Sequence, residues 1–174
     1  MKNIKILQDN ILIISTVSLL FAIYFISPSI TYSIDYKEEA NMLQRANDYL
    51  SEGEVESALQ IYDEILKLNQ TNVSALNHKG LAFESIGNYE EAIKMYNKVL
   101  AIDPSDLLAL NNKGVALYNL GNYEEAIKMY NKVLAIDPKD VDAKYNKSIA
   151  LRSLNKTQEA NILYDESFNI QRQR

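Results

Sequence analysis

Residues 87–104 read GNYEEAIKMYNKVLAIDP, and residues 121–138 carry the same eighteen letters thirty-four positions later. A unit of that length is one pair of helices whose apolar face stays open until a neighbour covers it, so copies must stack into a solenoid sharing one core. Steps of thirty-four outward from this block reach the columns Tyr62, Tyr96, Tyr130, Tyr164 and Ala58, Ala92, Ala126, Ala160. Gly53, Gly87 and Gly121 form a third column that ends in Asn155, and Leu66, Leu100, Leu134 and Phe168 form a fourth. The spacing predicts four repeats, at 39–72, 73–106, 107–140 and 141–174, within a domain spanning 35–174.

Inside one copy, Leu107, Leu110, Gly114, Leu117 and Tyr118, then Tyr123, Ala126, Ile127, Tyr130, Val133 and Leu134, recur at helical spacing. That pattern predicts helix, turn, helix, and an all-α chain. Gly121 is placed to end the first helix with a positive φ, and Pro138 ends the second because it has no amide hydrogen for another turn. Asn72, Asp106 and Asp140 stand where N-caps belong. Gly80, Gly114, Ala92 and Ala126 are small because paired helices approach closely only where no bulky side chain intervenes. The four column tyrosines read as core. Glu90 with Lys94, and Glu124 with Lys128, read as exposed pairs four residues apart.

The run Leu-x2-Lys-Gly-x2-Leu from Leu110 to Leu117, followed by Gly-Asn-Tyr-x2-Ala-x3-Tyr from Gly121 to Tyr130 and by Asp137-Pro138, resembles the tetratricopeptide repeat. The resemblance implies a right-handed superhelical solenoid of four helix-turn-helix repeats with an open concave groove. The chain departs from the family pattern at Leu76 and Leu110, where tryptophan is frequent, at Gln70, where proline is, and at Ala46 and Ser148, where the helical glycine is. Asn161 and Ser167 replace apolar residues of the inner copies and look like the polar end of a stack, with no capping helix after it.

In that family the first helix of each copy lines the groove. The implied inward positions are Gln44 and Asn47, Asn77 and His78, Asn111 and Asn112, and Tyr145 and Asn146. Carboxamides both donate and accept, so such a row suits the backbone of an extended peptide. Tyr118, Tyr145 and Arg152 are implied as stronger anchors, since aromatic and arginine side chains dominate many interfaces. Members that clamp a terminal carboxylate do so with lysine and arginine. The matching places here are Leu43, His78, Leu108 and Asn112, or Asn77, Asn112, Asp142 and Asn146, so no carboxylate clamp is expected.

Composition narrows the function further. The chain has 174 residues, no cysteine and one histidine, His78, which removes thiol chemistry and leaves no material for a catalytic triad. Asp137, Asp140 and Asp142 sit together at a turn without the glycine-containing loop of a calcium site, so capping accounts for them. An enzyme, a metal and a cofactor are all unexpected. Of 18 basic and 23 acidic residues, Lys2, Lys5 and Asp9 precede residue 35, so residues 35–174 hold 16 and 22, a net of −6. That charge disfavours nucleic acid as a partner and favours a protein or peptide.

The amino end carries a different message. Lys2 and Lys5 precede residues 10–34, which hold no charge, and 11–26 is nearly all apolar. Sixteen helical residues reach about 24 Å, short of a roughly 30 Å hydrocarbon core, and extension through Tyr32 makes a full span. Ser27 with Ser29, or Thr31 with Ser33, also fits the small-x-small pattern of a cleaved signal. Residues 1–34 are therefore expected to form an N-terminal hydrophobic helix, as signal peptide or signal anchor. Lysines before the segment keep the amino end cytoplasmic and the repeats outside, membrane-anchored or secreted. A groove that binds peptide is one expectation; the other is a subunit that self-assembles through the last helix, with Phe168 and Ile170 at the contact.

Overall fold

The computed structural model describes residues 28–172, with side chains from 37 onward. The apolar stretch 11–26, on which the expected membrane segment rests, lies outside them. No helix among the described residues is long and apolar enough to cross a membrane. The chain divides into a unit Met1–Asn41 and a unit Met42–Arg174, and the second holds the repeats.

All regular structure among the described residues is helical. The helices are α1 (Pro28–Ser51), α2 (Val55–Leu68), α3 (Val73–Ser85), α4 (Tyr89–Ile102), α5 (Leu107–Asn119), α6 (Tyr123–Ile136), α7 (Val141–Ser153) and α8 (Thr157–Arg172). The caps fall where the columns place them. Asn72, Asp106 and Asp140 each accept a hydrogen bond from the backbone N–H three residues on, all at 2.7 Å, which satisfies a donor the first helical turn leaves open. At Gly121 φ is +80°, and the turn closes through Gly121 N–H to Tyr118 C=O and Asn122 N–H to Leu117 C=O, both at 2.9 Å. Asn155 takes φ +59° at the same point of the last copy, a conformation asparagine tolerates better than most residues.

From α2 onward each helix packs on the next, and the first helices of successive repeats also touch, α3 with α5 and α5 with α7. That neighbour-only pattern is a solenoid. Its centre is the tyrosine column: Tyr62, Tyr96 and Tyr130 are at most 1% exposed. Each inner ring lies against a glycine of the preceding helix. A Cβ on Gly80 would stand 2.5 Å from Tyr96 Cε1, and one on Gly114 2.5 Å from Tyr130 Cε1, so only glycine lets these helices meet. Lys79 reaches back to Asp63 and Lys113 to the Asn97 carboxamide at 2.6 Å, which ties adjacent repeats together.

Three expectations need correction. Tyr164 is not core: it is 38% exposed, because no helix among the described residues covers α8 as α7 covers α6. Ser167 is not part of a solvated end, being 4% exposed with its hydroxyl donating to Tyr164 C=O at 2.7 Å. The exposed ion pairs join residues three apart, Glu91 to Lys94 and Glu125 to Lys128, rather than four.

The tyrosine hydroxyls are not equivalent. Tyr62 donates to Asn47 Oδ1 at 2.7 Å, and burial pushes its pKa up to about 12. Tyr96, where Leu81 replaces that asparagine, has a buried hydroxyl that closes no bond of this geometry and lies beside the Glu84 carboxyl. Tyr62→Phe is therefore expected to lower stability by about 1–2 kcal/mol, since it strips Asn47 of its donor, and Tyr96→Phe to change it by less than about 0.5 kcal/mol. Urea denaturation of the two variants is the check, and equal losses would contradict the asymmetry.

Candidate functional site

Two columns on the first helices carry most of the expected groove residues: Asn77, Asn111 and Tyr145, whose column begins at Leu43, and beside it Gln44, His78, Asn112 and Asn146. Asn146 Nδ2 donates to Asn111 Oδ1 at 3.4 Å, bridging α7 to α5. One repeat earlier the same two places hold Asn112 and Asn77. There the bond is not closed: Asn112 Nδ2 and Asn77 Oδ1 are both buried and both lack a partner. Asn77 itself is 3% exposed, so it lies at the groove floor rather than on its wall.

Toward the amino end the row turns inward. His78 stacks on Tyr62 with ring centroids 6.3 Å apart, and its Nδ1–H donates to Ser74 C=O at 2.8 Å, an arrangement that holds the imidazole as a structural group. Gln44 donates to Asp48 at 2.8 Å, and Asn47 serves Tyr62. The expected ladder is thus engaged with its own chain at both ends and open in the middle.

The aromatic anchors gather at the carboxyl half. Tyr145 and Tyr164 pack with centroids 6.0 Å apart, the Arg152 guanidinium lies 5.0 Å from the Tyr164 ring, and Arg152 Nη2 also donates to Asn161 Oδ1 at 3.3 Å. Tyr118 accepts from the Ser153 hydroxyl at 3.4 Å and packs on Tyr123. Tyr164 is the residue that joins Tyr145 to Arg152, and its place in the core column concealed that role.

Glu84 is the other residue missed. It stands thirty-four before Tyr118 and sixty-eight before Arg152, in the same column, so the repeat itself carried the signal. Burial pushes its carboxyl above the usual carboxylate range, with the Tyr96 hydroxyl beside it acting in the opposite direction. Burial likewise raises Tyr96 and Tyr130, and the Glu84 charge adds to both.

The aspartates behave as caps and turn closers: Asp137 accepts from Lys139 N–H at 2.9 Å and Asp140 from Ala143 N–H. Among the described residues no three His, Cys, Asp or Glu side chains gather as a metal ion requires.

Residues 73–106 and 108–140 match the family model of the tetratricopeptide repeat. These two segments are tetratricopeptide repeats. Solved structures of the same fold include MamA of Desulfovibrio magneticus RS-1 from its position 41 onward, 20% identical with a TM-score of 0.72 over 78% of this chain and 77% of that one. Another crystal structure of MamA is 21% identical, with a TM-score of 0.70 over 76% and 73%. The first tetratricopeptide domain of Spaghetti (RPAP3), bound to an HSP90 peptide, is 21% identical with a TM-score of 0.65 over 68% of this chain and 94% of that one. At these identities the likeness is one of fold. No curated protein matches the chain.

Proposed function

We propose that this tetratricopeptide chain is a non-catalytic protein-interaction module that holds a peptide or protein segment along its concave face. The carrying observation is the exposed cluster of Tyr145, Tyr164 and Arg152 beside the asparagine columns. Two aromatic rings, 45% and 38% exposed, and a guanidinium share one patch, the residue types that anchor interfaces. The Spaghetti domain's bound peptide supports the same use of the fold. The apolar stretch at 11–26, with Lys2 and Lys5 before it, supports display outside the cytoplasm, tethered or released.

Crosslinking from host membranes, with amino-terminal sequencing of the recovered protein, identifies the partner and the fate of the leader. With that partner in hand, Asn112→Ala combined with Asn146→Ala is expected to weaken binding about tenfold at unchanged helicity, as two lost hydrogen bonds imply. Unchanged affinity would remove the asparagine row from the groove.

A second reading is assembly through α8. Phe168 is 49% exposed, whereas Leu66, Leu100 and Leu134 of its column are half-buried against their neighbours. Concentration-dependent sedimentation that Phe168→Glu abolishes would favour it.

A further inference from the structure

α8 presents the face with which each earlier second helix receives the helix that follows it. Inside the stack that contact has three recurring parts. Leu66 shares a core with Leu76, and Leu100 with Leu110. Leu59 packs in one cluster with Ala82, Ile93 with Ala116 and Ile127 with Ala150. At the rim Asp63 pairs with Lys79, and the Asn97 carboxamide accepts from Lys113 at 2.6 Å. On α8 the three places hold Phe168, Asn161 and Asp165, all exposed. Asp165 forms no ion pair among the described residues.

The first repeat carries the other half of each part. Met42, Asp48 and Arg45 on α1 stand in the columns of Leu76, Ala82 and Lys79. Met42 is half-buried, Arg45 and Asp48 are exposed, and Arg45 likewise forms no ion pair among the described residues. The two ends therefore depart from the inner junctions at the same contact. Where those junctions bury an aliphatic side chain against alanine, one end has Asn161 and the other Asp48. Either change alone would strand a polar group in a packed seam. Together they match. Asn161 Oδ1 is occupied by Arg152, which leaves the amide hydrogens to donate, and Asp48 accepts from Gln44 at 2.8 Å with further lone pairs open.

We propose that the two ends of the repeat stack bind each other between copies, α8 of one chain receiving residues 42–51 of α1 from a second copy. Phe168 then covers Met42, Asn161 meets Asp48, and Arg45 reaches Asp165 as Lys79 reaches Asp63. The inference rests on α8 being an assembly surface, and it names the surface that α8 meets. Because the joined faces differ, each added copy leaves one face of each kind open, and the stack grows from chain to chain rather than closing at two. Two α8 helices packed on each other would make no use of Met42, Arg45 or Asp48.

The test is sedimentation of the full chain in non-ionic detergent from about 10 μM to about 1 mM, the range in which a contact of this small size is read. The expected result is an average mass that passes two copies and keeps rising. Arg45→Glu and Asp165→Lys should each raise the concentration of half-assembly at least tenfold at unchanged helicity, and both in one chain should return it to within about threefold of the original. Mixing the two single variants should also restore assembly, since each supplies the intact face that the other needs. A chain that stays monomeric throughout overturns the inference and assembly through α8 together. Assembly that stops at two copies, responds to Phe168→Glu and ignores Arg45→Glu keeps α8 as the surface and overturns its pairing with α1. Assembly that ignores all three substitutions puts the contact elsewhere and overturns both.

Discussion

Tyr130→Ala is expected to lower the unfolding free energy by about 3–5 kcal/mol, the range for deleting a fully buried aromatic side chain. The ring is 1% exposed, rests on Gly114, and packs with Ala126, Ala150, Leu117, Tyr118 and Ile127, which belong to three successive helices. Those helices have no alternative core into which to collapse, because a solenoid repeat touches only its neighbours. The cavity would thus open at the seam between the third and fourth repeats. Tyr164→Ala provides the contrast. It removes the same atoms from a ring 38% exposed, so about 1 kcal/mol is expected. Urea denaturation followed by circular dichroism gives both numbers, and at Tyr130 the transition should also broaden as the two ends of the stack lose cooperativity. A loss below about 1.5 kcal/mol at Tyr130, or equal losses at the two sites, would show that the tyrosine column is not the core of the stack.

The caps show what the sequence makes legible. Asn72, Asp106 and Asp140 are readable because an N-cap makes a local demand on one residue, and the structure meets it with one hydrogen bond each. Burial is readable only as far as the repeat extends. Periodicity tells which face of α8 is apolar but not whether another helix covers it, and so it places Tyr164 in the core, where the structure does not. The asparagine row exposes a finer limit. Asn111 with Asn146 and Asn77 with Asn112 are the same residue types at the same spacing, yet only the first pair closes a bond, at a length of 3.4 Å. Differences of a few tenths of an ångström decide such contacts, and composition does not encode them. Glu84 was within reach, since it shares a column with Tyr118 and Arg152. A glutamate on a helix is read by default as solvated surface, and only its buried oxygen sets it apart.

Gly114→Ala is the other substitution with a large expected effect, and here two principles oppose each other. Alanine is the better helix former by about 1 kcal/mol, and in an exposed helix it would stabilise. At Gly114 the new methyl would stand 2.5 Å from Tyr130 Cε1 and 2.8 Å from Cζ, well inside van der Waals contact, and the ring it meets is only 1% exposed, so it cannot yield without moving its packed neighbours. Overpacking of that kind typically costs about 1–3 kcal/mol, so a net loss is expected. The outer repeats show how a side chain is accommodated at this place. Ala46 coexists with a fully buried Tyr62 whose hydroxyl is held by Asn47, and Ser148 coexists with a Tyr164 that stands partly in solvent. Tyr130 has neither arrangement, because Val115 replaces the asparagine and α7 covers the ring. The clash must then be carried by the ring itself, which a double-mutant cycle detects. In a Tyr130→Leu background, where the ring tip is gone, Gly114→Ala should cost nothing or stabilise slightly, giving a coupling of at least about 1 kcal/mol. The same loss in both backgrounds would mean that the approach of α5 to α6 is set by something other than the tyrosine.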